Sequence, residues 1–133
     1  MKLSAKYDAS SIEIEGTADS LRQFSKEIQD LDGSRRIELP DPVDTDSRGL
    51  RSANTITMSL KEGLVNIAVS EGGITISGSK EKLLILAQNF LFLADSEKTE
   101  GPIRDHIHIE YYPSNFPFLD ENALPLIVTK QEN

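Results

Sequence analysis

The sequence contains no cysteine among its 133 residues, which excludes disulfide bonds, thiol chemistry and cysteine–zinc sites. It also has no apolar run of the roughly 18 residues that a membrane span requires. The longest candidate, residues 83–94, is interrupted by Gln88 and Asn89. The first eight residues lack the apolar core of a signal peptide. These absences favour a cytoplasmic protein that does not enter a membrane.

Basic residues are in the minority, with 14 Lys and Arg against 22 Asp and Glu, so the formal net charge is −8. An acidic surface repels the phosphate backbone, and a nucleic-acid partner is therefore not expected. Two interpretations of the charge stay open. It keeps the protein soluble, or it attracts a basic protein partner.

The sequence contains an internal repeat. Residues 12–21 are echoed by residues 74–83, and the same offset of 62 positions relates residues 3–7 to 65–69 and 24–31 to 86–93. Repeats of this kind indicate that one supersecondary unit occurs twice. We predict a single domain over residues 1–133, with an internal repeat of residues 3–31 and 65–93.

Each copy has the pattern of a β-hairpin followed by a helix. Alternating residues predict strands at 2–7, 11–15, 54–60, 64–69, 73–77 and 106–112, and Thr17 is the predicted N-cap of a first helix that Gly33 ends. The predicted fold class is α+β. It consists of a duplicated β-β-α-β unit, with a mostly antiparallel sheet of six to eight strands, two helices on one face and the other face open.

The segment of residues 34–53 interrupts the repeat. It holds two prolines and eight charged residues, and we expect a long connection there, a class of loop that is often functional. Its carboxylates include Asp41, Asp44 and Asp46. Near the other end of the chain, residues 124–129 are predicted to form an edge strand, because Pro125 cannot donate to a ladder.

The predicted second helix is apolar on more sides than the first. Its additional apolar residues replace polar ones of the first helix, namely Leu84 for Arg22, Ile85 for Gln23, Leu91 for Gln29 and Phe92 for Asp30. A helix of this kind is usually buried on most sides, so we expect the long connection or the first helix to cover it. The alternative is an exposed patch for a partner.

The segment HIHIEYY at residues 106–112 has the most chemical character. Alternation along a strand places one row of polar side chains on the open face: His106, His108, Glu110 and Tyr112. Two imidazoles could bind a metal ion, which leaves a small metal-binding protein or metal-dependent enzyme using His106 and His108 as an alternative. However, the first and last positions of His106, His108 and Glu110 are ~13 Å apart, too far to reach one ion easily. No nucleophile has a catalytic context, so we predict no enzyme and no catalytic residues.

Several segments together resemble a known family. The hairpin of residues 67–79 reads IAVSEGGITISGS and the helix of residues 83–94 reads LLILAQNFLFLA; HIHIEYYP follows at 106–113, FL at 118–119 and LPLIV at 124–128. These segments resemble immunity protein family 32, whose members are predicted antidotes in bacterial polymorphic toxin systems. The resemblance covers most of the second copy and the C-terminus, is weaker over residues 3–31, and does not extend to residues 34–53.

The resemblance implies an antitoxin that inhibits a cognate protein toxin by binding, without a cofactor or turnover. From the residues themselves we also predict no metal site. A basic nuclease is one candidate toxin, given the acidic charge. The predicted binding residues are the polar row (His106, His108, Glu110, Tyr112) and the acidic loop (Asp41, Asp44, Asp46). We expect a monomer or weak homodimer. A non-catalytic homodimer formed through the extra apolar helix face is a further alternative.

Overall fold

The computed structural model describes residues 1–40, 48–96, 105–114 and 117–131. In chain order its elements are β1 (Leu3–Tyr7), β2 (Ile12–Thr17), α1 (Ala18–Gln29), β3 (Ser34–Glu38), β4 (Arg51–Ser52), β5 (Thr55–Leu60), β6 (Asn66–Ser70), β7 (Gly73–Gly78), α2 (Lys80–Asp95), β8 (His106–Ile109) and β9 (Leu126–Gln131). Within the described residues, neither helix combines the length and the apolar content needed to cross a bilayer. The α+β class is confirmed.

The strands form two sheets rather than the one sheet that the sequence predicted. The first sheet has the order β4-β1-β2-β9-β8 and the second has the order β3-β5-β7-β6. The pairs β2–β9 and β5–β7 are parallel, and the other pairs are antiparallel. The prediction of mostly antiparallel pairing is therefore confirmed.

Each half of the chain contributes strands to both sheets. The first half places β1 and β2 in the first sheet and β3 and β5 in the second, whereas the second half places β6 and β7 in the second sheet and β8 and β9 in the first. The order of these elements and their pairing are thus the same in the two halves. That residues 3–31 superpose on residues 65–93 stays a prediction.

Both helices begin with a side-chain cap. The Thr17 hydroxyl accepts a hydrogen bond from the backbone N–H of Ser20, as predicted, and the Ser79 hydroxyl accepts one from Lys82, each at 3.2 Å. These caps satisfy N–H groups that have no partner within the helix.

The two helices also pack against each other. The buried Ser25 Oγ donates to the Ala87 carbonyl at 2.8 Å, and the rings of Phe24 and Phe90 meet edge to face at 4.9 Å. One apolar cluster joins the buried residues of both helices and both sheets, so the two sheets share a single core.

The segment 34–53 is more regular than predicted, because residues Ser34–Glu38 form β3 and Arg51–Ser52 form β4. Only Ile37 of β3 is buried. Because β3 is an edge strand of the second sheet, its other side chains can be charged, and charges on edge strands discourage aggregation. The Arg35 guanidinium forms an ion pair with Glu27, and Arg36 forms one with Glu38 at 2.9 Å.

The C-terminal strands also differ from the prediction. Strand β9 lies between β2 and β8 and is not an edge strand. Pro125 is compatible with this position because it precedes β9, and its carbonyl accepts a hydrogen bond from the Ile12 N–H. Strand β8 ends at Ile109, opposite Leu126, where β9 begins. Residues 110–112 therefore extend beyond the paired strand.

Candidate functional site

The polar row of His106, His108, Glu110 and Tyr112 is exposed along its whole length. The two histidines alternate on β8 with Ile107 and Ile109, and Ile109 is buried in the core. Because successive strand residues point to opposite faces, the histidines project from the face of the first sheet that is turned away from the helices. The predicted placement of these side chains on the open face is confirmed.

The two imidazoles are neighbours on this face. The ring centroids of His106 and His108 are 5.2 Å apart, with the ring planes at 71°. Among the described residues, no group of three or more His, Asp and Glu side chains lies in a position to hold a metal ion. This pair alone therefore supplies two of the four ligands that a closed zinc site uses.

The second half of the row is held by a hydrogen bond between its own members. The Tyr112 hydroxyl donates to Glu110 Oε1 at 2.8 Å. This bond, together with the carboxylate charge, raises the pKa of Tyr112 above its usual value, because both favour the protonated phenol. Tyr112 is nevertheless 64% exposed. It therefore presents an aromatic ring and an oriented hydroxyl to a partner.

The row continues across the open face of the first sheet. Strand pairing places His108 beside Ile127 and Ile127 beside Glu13, with Lys6 next in line. The Glu13 carboxylate is paired with Arg48 at 3.1 Å. Other polar strand residues alternate with buried neighbours and are not buried themselves: Glu15 in the first sheet, and Thr55, Thr57, Ser59, Asn66, Thr75 and Ser77 in the second.

The acidic loop cannot be compared with the row, because Asp41, Asp44 and Asp46 lie outside the described residues. On its C-terminal side, the chain returns through Leu50 and β4 to the edge of the first sheet. There the Ala53 N–H donates to the Ala5 carbonyl at 2.9 Å.

A cleft of about 560 Å³ near the ends of β1 and β6 was not predicted. Its lining residues come from both sheets and from the connections beside them: Tyr7, Asp8, Ala9, Gly49, Arg51, Ala68, Val69 and Leu124. At its rim the Asp8 carboxylate accepts hydrogen bonds from the backbone N–H groups of Ser10 and Ser11. These bonds, with those from the two serine hydroxyls, lower the pKa of Asp8. The cleft joins residues from distant parts of the sequence, so no local motif could have revealed it.

The outer face of α2 is the second surface that differs from the prediction. Leu84, Leu91 and Phe92 were expected to be covered, but they are 37%, 36% and 73% exposed, and Ile85 is half-buried. The expectation was wrong because α1 packs against a different side of α2, where Ala87 lies. The sequence feature that indicated this face is that α2 has apolar residues at positions where α1 has polar ones.

The polar row and the outer face of α2 both lie within one segment that resembles known proteins. Residues 73–131 match the family model of immunity protein 32. This match confirms the predicted resemblance to that family over this segment. The matched segment of immunity protein 32 runs from β7 through α2 and β8 to the end of β9, and it excludes the acidic loop.

Comparison with individual proteins adds nothing to the immunity protein 32 match. No curated protein and no solved structure matches the chain with significance.

Proposed function

We propose that the protein is an antitoxin that neutralises a cognate bacterial polymorphic toxin by binding it directly and occluding it. The observation that carries the proposal is the family match over residues 73–131. Inhibition by occlusion needs a stable contact surface rather than catalysis. The proposal therefore includes no turnover and no cofactor, and it places the protein in the cytoplasm as a monomer or weak homodimer.

The polar row is the polar contact surface that we propose. Three properties support it: its side chains are exposed, it lies within the matched segment, and two of its members are attached to a strand. A rigidly held side chain loses less conformational entropy on binding than one on a flexible loop. The Tyr112–Glu110 hydrogen bond restricts the remaining two in the same way.

The charge of the protein supports a basic toxin. A net charge of −8 speeds the association of oppositely charged partners, and this effect is reduced by salt. A basic nuclease fits this description, and we propose it as the toxin class. The acidic loop (Asp41, Asp44, Asp46) is a second proposed source of attraction, although it lies outside the matched segment.

The experiment is a binding and protection assay with the toxin domain encoded beside the gene of this protein. Wild-type protein should bind that domain and protect cells that express it. Glu110→Lys should weaken binding, mainly through slower association at low salt. Glu62→Lys makes the same change of charge at an exposed residue in the turn between β5 and β6, and serves as the matched control.

Two outcomes would contradict this proposal. If wild-type protein neither binds the toxin domain nor protects cells, the immunity function is wrong. If it binds with the same affinity from low to high salt, and Glu110→Lys behaves like Glu62→Lys, the electrostatic account is wrong.

A further inference from the structure

The outer face of α2 carries most of the exposed large hydrophobic side chains among the described residues. Leu84, Leu91 and Phe92 account for three of the five exposed large hydrophobic side chains. They occupy positions i, i+7 and i+8 of the helix, so they lie on one side of it together with the exposed Gln88. Their combined exposed area is on the order of 300 Å², which is within the range of patches that are often functional.

The fold itself does not require these apolar residues. Helix α1 occupies the corresponding place in the first half of the chain, and the positions that align with Leu84, Leu91 and Phe92 are Arg22, Gln29 and Asp30. All three are exposed, Arg22 and Gln29 on α1 and Asp30 at its C-cap. Because a polar outer face is sufficient for α1, packing of the core does not account for the apolar residues on the outer face of α2.

We infer that the outer face of α2 is a docking surface for the toxin, and that the toxin covers it with an apolar patch bordered by Lys or Arg. This inference rests on the proposed antitoxin function. Leu84, Leu91 and Phe92 would fill the centre of the contact, and Phe92 would be its anchor, since it is the most exposed of the three. Buried aromatic residues at the centre of an interface typically carry most of its binding energy.

Charge favours a basic partner over a second copy of this chain. Each copy carries a net charge of −8, so two copies repel each other, and proteins with a large net charge tend to stay monomeric. At the C-terminal end of the face, Asp19 and Asp95 share the single guanidinium of Arg22. Arg22 and Lys130 both donate to the Ala94 carbonyl there, so two cations stand beside these two aspartates. The attraction of a basic partner therefore rests on the net charge of the whole protein.

The size of the apolar patch also favours a different partner over a second copy of this chain. Two copies that met through this patch alone would bury roughly 600 Å² of apolar surface, whereas specific interfaces bury about 1,200–2,000 Å² in total. A toxin can add contacts around the patch. Substitutions on the face and on the polar row change different residues and therefore report separately.

The test is toxin binding by the single variant Phe92→Gln and by the triple variant Leu84→Gln, Leu91→Gln, Phe92→Gln. Glutamine is a good helix former, and these positions are exposed, so both variants should fold. We expect Phe92→Gln to weaken Kd by about 30-fold and the triple variant by at least 100-fold, mainly through faster dissociation. Gln23→Ala, at an exposed site on α1, is the control and should bind like wild type.

The folded state is verified by circular dichroism and by urea denaturation. If wild-type protein binds the toxin and the triple variant binds within threefold of it, this inference is overturned while the antitoxin function stands. If wild-type protein does not bind the toxin, the proposed function itself fails. If light scattering detects a wild-type dimer that the triple variant does not form, a second copy occupies the face and the toxin assignment is wrong.

Discussion

Replacement of Gly78 by alanine should destabilise the protein through a clash with a neighbouring backbone. Gly78 is the last residue of β7 and is buried. A Cβ atom built there would lie 3.0 Å from Val65 Cα and 3.2 Å from Val65 N. Backbone atoms cannot rotate away as the end of a long side chain can. Either the strand–helix turn or the chain at Val65 must therefore shift.

Two effects of opposite sign determine the size of the change. Insertion of a methyl group into a well-packed site typically costs about 1–3 kcal/mol. Alanine also restricts the unfolded chain, which stabilises the folded state by about 0.4–1 kcal/mol. We therefore expect Gly78→Ala to lower the free energy of unfolding by about 1–2 kcal/mol, which corresponds to a fall in Tm of roughly 3–8 °C for a domain of this size.

Urea denaturation followed by circular dichroism measures this change directly. Ser70→Ala, at an exposed residue of the edge strand β6, is the control and should stay within about 0.5 kcal/mol of wild type. Gly16→Ala gives a useful comparison, because its Cβ would meet the movable Leu3 Cδ2 as well as the Lys2 carbonyl. If Gly78→Ala is as stable as wild type, the close approach of Val65 does not constrain the fold and our reasoning fails.

Three further predictions concern ionisable groups. NMR titration should show a lowered pKa for Asp8, and this pKa should rise in Ser10→Ala. Because the folded-state pKa is below the unfolded-state pKa, the Asp8 carboxylate stabilises the protein above the unfolded-state pKa, and this contribution is lost as the pH falls through the folded-state pKa. An ordinary pKa for Asp8 in wild type would contradict the hydrogen-bonded geometry. Absorbance titration should show that Glu110→Ala lowers the pKa of Tyr112 toward its usual value, and no change would mean that the two side chains do not interact in solution. A chelator should leave Tm unchanged, whereas a loss of several degrees would establish a structural metal at the histidine pair.

Local structure was largely predictable from the sequence, because period and capping depend on nearby residues. Alternation identified β1, β2, β5, β6 and β7, and Thr17 was identified as a cap from its position after Gly16. Strand β3 was missed because only Ile37 of its five residues is buried. An edge strand with one buried side chain lacks the alternation on which such predictions rest.

Tertiary arrangement was less predictable. Pro125 suggested an edge strand, yet β9 is internal because the proline comes just before the pairing begins. For the candidate site, alternation was sufficient to place His106 and His108 on the open face. It could not show that Leu84 and Phe92 would stay exposed, because apolar character favours burial without identifying the surface that provides it.

The exchange of strands between the halves has a consequence for the synthesis of the protein. Ile12 pairs with Leu126, so the first sheet joins two segments that are far apart in the sequence. Pairing at such a sequence separation slows folding, and β2 remains an open edge until β9 is available. An open strand edge can pair with another chain. The first sheet is therefore complete only after β9 has been translated, and until then the open edge of β2 must be kept from pairing with another chain.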